Sequence, residues 1–367
     1  MSRLDELIAE LCPDGVEYVS IGSIVNYEQP SKYIVTSTNY NDDFSIPVLT
    51  AGQSFILGYT NETENLYKAS KQNPVIIFDD FTGAFKWVDF PFKVKSSAMK
   101  MLTADTEKTT LRFIFHMMGN IGFTSNEHKR LWISTYSTIS IPLPPLPVQS
   151  EIVRILDNFT ELTAELTAEL TARKKQYEYY RDELLTFGDD VPRAKLGDVS
   201  DISRGVRVVK KQLIPDGTYP VYQNSLAPMG YYDKHNCYAN TTYVISAGAA
   251  GEIGFCDKDF WAADDCLVFS NLNGVIDKYI YYFLMTKQDF IRANVRTASI
   301  PRLSRTVLEN LQIPLLSLEE QRRIVSILDR FDTLCNDITK GLPAEITARQ
   351  KQYEYYRDKL LTFKELT

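Results

Sequence analysis

The chain has 367 residues, 44% hydrophobic and 24% charged, an ordinary globular balance that predicts two or three domains at about 100–200 residues each. Its net charge of −7 argues against a uniformly basic nucleic-acid binder, and no apolar run approaches the ~20 residues that cross a bilayer. Five cysteines without a CxxC pair argue against a disulfide framework or zinc ribbon, and three scattered histidines leave little for a metal site or a Ser-His-Asp triad.

In chain order, MSRLDELIAELCPDG is amphipathic and lacks the apolar core of a secretory signal, which predicts a cytoplasmic protein. A first globular segment, 1–147, mixes short strands and turns. PVIIF (74–78) reads as a buried strand and LRFIFHMM (111–118) as a buried helix. A helical segment, 148–187, places Ile152, Ile155, Phe159, Leu162, Leu166, Leu170, Tyr177, Tyr180, Leu184 and Phe187 at steps dominated by three and four. Its tract TELTAELTAELTA has a four-residue period, a local stutter in heptad terms. A second globular segment, 188–317, holds the strand TYVIS (242–246) and the helix DKYIYYFLM (277–285). A second helical segment, 318–367, repeats the stripe through Leu334, Ile338, Leu342, Ile346, Tyr353 and Tyr356, but Gly341 and Pro343 predict a kink or break.

The chain is an internal duplication. IPLPPLPVQSEIVRILDNF (141–159) recurs as IPLLSLEEQRRIVSILDRF (313–331), and LTARKKQYEYYRDELLTF (170–187) as ITARQKQYEYYRDKLLTF (346–363). Weaker echoes equate Tyr18–Gly22 with Arg193–Gly197, Ile46-Pro47-Val48 with Tyr219-Pro220-Val221, Gly58-Tyr59 with Gly230-Tyr231, and Arg112–Phe115 with Lys278–Tyr281. Similar helices and divergent globular parts imply that the helices do one job twice, while the globular parts do related but different jobs. Roughly 40 residues make a rod on the order of 60 Å, and two rods with matching seams most simply pack together. The fold class is α+β: two tandem domains separated by two long helices packed as a coiled-coil-like spacer.

Candidate binding residues are local, because neither globular part is basic overall. Residues 1–140 carry 12 basic and 16 acidic side chains, and residues 188–312 carry 14 of each. In the second part, Arg204, Arg207, Lys210 and Lys211 form one cluster, and Arg296, Arg302 and Arg305 another. Such residues neutralise phosphates, and arginine reads guanine bidentately. Gln223 and Asn224 are amides suited to adenine edges. SAGAAGEIGF (246–255) is glycine-rich but lacks the GxGxxG spacing, so it reads as a tight turn or a close backbone approach to a ligand. In the first part, Lys129, Arg130 and Trp132 put charge beside an aromatic, and Lys86, Lys93, Lys95 and Lys100 surround a serine-containing stretch. A solvated face is the plainer reading of both. Asp79 and Asp80 with Lys86 hint at a nuclease metal site, but no third acidic ligand has recognisable spacing.

The duplicated layout, the two IPL…ILD segments and the RKKQYEYYRDELL and RQKQYEYYRDKLL tails resemble the DNA-specificity subunit of type I restriction–modification systems, over the whole chain. The resemblance implies a non-catalytic subunit. Each globular part would be a target-recognition domain reading one half of a bipartite, asymmetric sequence in double-stranded DNA. The two helices would pack antiparallel, set the gap and dock two modification (methyltransferase) subunits, and Leu162, Leu166, Leu170, Tyr177, Tyr180, Ile338, Leu342, Ile346, Tyr353 and Tyr356 are the candidate spacer and docking positions. Motor–nuclease restriction subunits would join this core. No metal or cofactor is expected in this chain, whereas S-adenosylmethionine, ATP and magnesium are expected in the partners. Two rivals stay open: a scaffold whose ends bind proteins, and a stand-alone nuclease.

Overall fold

The structure is a computed structural model, and it describes residues 2–52, 54–122, 130–297, 299–337 and 339–366. Contacts divide the chain into two compact units, Met1–Glu165 with Ile346–Thr367, and Leu166–Glu345. The division is cyclic rather than sequential, because the C-terminal segment belongs to the first unit.

The first unit opens on α1 (Arg3–Leu11), whose N-terminus is closed by a reciprocal capping box between Ser2 and Asp5. Then come β1 (Glu17–Ser20), β2 (Val25–Glu28), β3 (Ile46–Leu49), β4 (Ile56–Thr60), β5 (Val75–Asp79), β6 (Phe85–Val88), β7 (Lys93–Val94), β8 (Met99–Ala104), α2 (Leu111–Ile121) and β9 (Ser140–Leu143). The strands make three sheets, ordered β1-β9, β2-β8-β5-β6 and β4-β3-β7, with a parallel β3·β7 pair inside the last. The 39-residue helix α3 (Leu146–Leu184) follows and crosses the division between the units.

The second unit rebuilds the same plan with β10 (Arg193–Lys195), α4 (Leu196–Val199), β11 (Asp201–Arg204), β12 (Tyr219–Tyr222), β13 (Gly230–Tyr232), β14 (Thr241–Ile245), β15 (Ile253–Cys256), β16 (Trp261–Ala262), β17 (Cys266–Ser270), α5 (Asp277–Thr286), α6 (Gln288–Ala293), α7 (Arg305–Glu309) and β18 (Gln312–Pro314). Its sheets run β10-β18, β11-β17-β14-β15 and β13-β12-β16, the last again holding a parallel pair. Every sequence echo falls on equivalent strands or helices: β1 and β10, β3 and β12, β4 and β13, α2 and α5.

The predicted break is present. Helix α8 (Leu318–Asn336) stops, and α9 (Leu342–Leu360) begins after 337–341. A Cβ on Gly341 would stand 2.4 Å from the Thr333 carbonyl oxygen, so only glycine lets the chain turn this tightly. Pro343 sits in the first turn of α9, where its missing N–H costs nothing.

Each unit buries its share of the long helices. In the first, Ile152 and Leu156 of α3 join Ile76, Phe113 and Ile141 in one core, with Leu361 after α9. In the second, Tyr177 and Leu185 join Leu267, Tyr279, Ile324 and Leu328. Among the described residues no helix is long and apolar enough to cross a membrane.

Candidate nucleic-acid interface

In the second unit Ser246 follows the central strand β14 and anchors two loops. Its N–H donates to the Asp265 carbonyl oxygen (2.6 Å), and its own carbonyl accepts from Leu303 N–H (2.8 Å). Ala247 bridges to Arg302, and Arg302 in turn exchanges two backbone hydrogen bonds with Arg296 (2.9 and 3.1 Å). On the other side Ala249 N–H donates to the Asn224 carbonyl (2.9 Å). Gly248 adopts φ +85°, and a Cβ there would meet the Asn224 Cβ at 2.7 Å. The glycine-rich segment is therefore a close backbone approach that lets the loops carrying Asn224, Arg296 and Arg302 converge. All three of those side chains are exposed. Gln223 is half-buried behind them, 3.4 Å from Asp265 Oδ2.

The Arg204–Lys211 cluster joins the same region through Trp261–Cys266. Gly205 N–H donates to the Cys266 carbonyl and Val206 N–H to the Ala262 carbonyl, while Trp261 Nε1–H donates to the Val206 carbonyl (2.7 Å). Arg204, Arg207, Lys210 and Lys211 are all exposed. Arg305 is exposed but turns to Glu309 at 2.9 Å.

The first unit repeats the anchor with different chemistry. Asp80 follows β5 as Ser246 follows β14. Its N–H donates to the Ala98 carbonyl (2.8 Å), and its carbonyl accepts from Leu131 N–H (2.7 Å). Asp80 Oδ1 also accepts from Trp132 N–H (2.8 Å), and Oδ2 pairs with Lys100 Nζ at 3.0 Å. Both carboxylate oxygens are thus engaged, and Asp79 Oδ1 caps the turn through the Phe81 and Thr82 N–H groups. This spends the two carboxylates of the faint nuclease signal on structure.

Two candidates are corrected here. Lys93 is only 3% exposed, with its Nζ 2.6 Å from Glu62, so it ties β7 to the loop after β4 and is not available to a phosphate. Trp132 is 1% exposed, stacked on Tyr136 and edge-on to Phe78, so it is a core residue and not a stacking platform for bases. Lys100, wholly buried against Asp80, belongs with them. Arg130 is exposed and Lys86 is half-buried on β6. Lys129 and Ile338 lie outside the described residues.

The helices carry a second, repeated constellation that charge counting misses. In the first unit Asp157 of α3 receives His116 Nε2 and Arg112 Nε of α2, each at 2.8 Å, and the other His116 ring nitrogen lies 3.2 Å from the Tyr353 hydroxyl. Burial opposes ionisation of Asp157, but the hydrogen bonds from His116 and Arg112 hold its carboxyl below the usual range. In the second unit Asp329 of α8 receives the Tyr282 hydroxyl (2.5 Å) and Lys278 Nζ (2.8 Å) of α5. Gln149 and Gln321 are fully buried equivalents. Each accepts from the backbone N–H that opens α2 or α5 (Thr110, 3.0 Å; Ile276, 2.8 Å) and donates to two nearby carbonyls. Phe159 stacks on Tyr356 (5.4 Å, 20°), and its repeat Phe331 stacks on Tyr180 (5.7 Å, 26°). The same helix-to-domain joint is therefore made twice. Both glutamines and both aspartates stand inside the repeated motifs, which is the signal that marks them.

A family model described as the type I restriction modification DNA specificity domain matches residues 13–173 and again 189–348. The chain belongs to this family. It is 44% identical to the Escherichia coli type I restriction enzyme EcoR124I/EcoR124II specificity subunit, over 99% of this chain and 97% of that protein. Among solved structures, the S subunit of a type I restriction–modification system from M. genitalium aligns with a TM-score of 0.69 at 15% identity, covering 95% of this chain and 96% of that one. A chain from a study of complex assembly and conformational transition of the type I system aligns at 0.54 and 16% identity, covering 95% and 98%. At such identities the structural matches establish the shared fold. The two matches to the family model fall on the two halves of the duplication, so the repeated element is the specificity domain itself.

Proposed function

We propose that this specificity subunit reads a split, asymmetric DNA sequence, each globular part (1–147 and 188–317) reading one half. The observation that carries this is the duplication. One plan is built twice around equivalent helix joints, yet the loops at the ends of β5 and β14 carry different side chains. Two unlike readers on like supports suit an asymmetric split site and a pseudo-symmetric pair of partners. Linking two weak readers raises their joint affinity through effective concentration, which answers the acidic net charge.

The candidate contacts are Arg130 and Lys86 in the first unit. In the second they are Arg204, Arg207, Lys210, Lys211, Gln223, Asn224, Arg296, Arg302 and Arg305. The helices set the gap and dock two modification subunits that use S-adenosylmethionine, and ATP- and magnesium-dependent motor–nuclease subunits join for restriction. The chain itself catalyses nothing and works in the cytoplasm.

The test is to co-express the chain with its modification subunits and map methylated adenines genome-wide. The reading predicts one motif of two short blocks at a fixed gap. A single unsplit block, or DNA cleavage by the purified chain with magnesium alone, contradicts it.

A further inference from the structure

Arg130 and Arg302 stand 172 residues apart, the offset of the 141–159 and 313–331 repeat, and the backbone puts them in one place. Each precedes a buried leucine, Leu131 at 4% and Leu303 at 3% exposure. Each leucine donates its N–H to the carbonyl of the residue that follows the central strand, Asp80 or Ser246. That residue is itself held by the Ala98 or the Asp265 carbonyl. The chemistry around this frame has diverged: the buried Asp80–Lys100 pair of one unit is replaced in the other by Ser246 with Leu267 on the neighbouring strand, and Trp132 answers to Ser304. The exposed arginine keeps its type and its exposure, and the buried leucine after it keeps the anchor.

Both guanidinium groups are also uncommitted. Arg154, Arg292, Arg305 and Arg323 each hold a carboxylate within 2.9 Å. Among the described residues no ion pair or side-chain hydrogen bond engages Arg130 or Arg302. A phosphate contact tolerates a mobile lysine, whereas bidentate recognition needs a planar fork on a fixed backbone. The leucine N–H bond supplies that fixed backbone in both units.

We propose that Arg130 and Arg302 are the paired specificity-determining residues of this chain, each donating its fork to the O6 and N7 of a guanine in the major groove of its own half-site. The inference rests on the reading that both units bind DNA. It also places that readout on one structural position used twice, and not on the denser Arg204–Lys211 cluster, which serves the phosphates.

The test assembles the modification complex with wild-type chain, Arg130→Ala, Arg302→Ala, Arg130→Lys and Arg302→Lys, and maps methylated adenines for each. Wild type should give a split motif with at least one guanine–cytosine pair in each half. Arg302→Ala should relax discrimination at one such position of one half by about 5- to 150-fold, and Arg130→Ala at one position of the other half. The remaining positions and the gap should be unchanged. The lysine variants keep the charge and lose the fork, so they should relax the same positions while retaining non-specific DNA binding. Uniform loss of methylation with the motif intact would make these residues phosphate contacts and overturn the proposal, as would relaxation of the same half by both variants, or no change of motif. If the wild-type complex shows no split motif, the reading of the units as DNA readers fails with it, an outcome distinct from a split motif indifferent to both arginines.

Discussion

At the scale of residues, charge alone does not separate binding groups from structural ones. Lys93 and Arg130 look alike in sequence, yet Lys93 meets Glu62, 31 positions earlier, across a pairing that local reading does not contain. Its ammonium holds the Glu62 carboxyl down to about 2. Lys93→Ala leaves that carboxylate without its partner, so it should cost the first unit about 1–3 kcal/mol in denaturant unfolding while leaving non-specific DNA binding unchanged. A drop in DNA affinity without loss of stability would return Lys93 to the interface.

Asp277 offers a second test. Burial pushes its carboxyl up to about 6, while hydrogen bonds from the Thr242 hydroxyl and N–H oppose the shift. A folded pKa above the unfolded value means the native state binds the extra proton between about pH 4 and 6. Stability from this group is therefore present below pH 4 and is lost as pH rises through 6. Asp277→Asn keeps an acceptor oxygen and removes the charge, so at pH 8 it should raise stability by about 1–2 kcal/mol. The gap to wild type should close toward pH 4. A thermal-unfolding difference that is independent of pH would contradict this.

At the scale of elements, the duplication made most of the fold legible. A helix stripe with three-four steps gave α3 and the α8–α9 pair, and Gly341 with Pro343 gave the break. The short echoes Ile46-Pro47-Val48 and Gly58-Tyr59 mark the hairpin β3–β4 and its copy β12–β13. The sheet orders and the parallel β3·β7 and β12·β16 pairs were not legible, because two-residue strands carry no periodicity. The joints were half legible. Gln149 and Gln321 are visible as repeated residues, but that each closes a helix start with backbone bonds requires the fold. Gln321→Ala leaves the half-buried Ile276 N–H and the Gly274 and Leu316 carbonyls without this partner, so it should destabilise the second unit by roughly 1–3 kcal/mol. Gln321→Glu, similar in shape but without the two amide donors, should recover only part. Full stability of the alanine variant would show that the joint is dispensable.

At the scale of the whole molecule, the tract 160–172 holds no fully buried residue. Thr160, Thr163 and Thr171 each turn the hydroxyl back to the carbonyl four residues earlier. Glu161, Glu165 and Glu169 are exposed, and Leu162 and Leu166 are only half-buried. A four-residue unit here commits little to either core. It advances the helix by about 6 Å and turns it by about 40° beyond a full turn, so the faces on either side keep nearly the same bearing. Two readers on one continuous helix should therefore tolerate its removal and report it as distance. The most direct measurement is the methylated-adenine map of the complex carrying a deletion of Thr163–Leu166. The account predicts both half-sites unchanged and a gap shortened by at most about two base pairs. An unchanged gap, or the loss of either half-site, would contradict it.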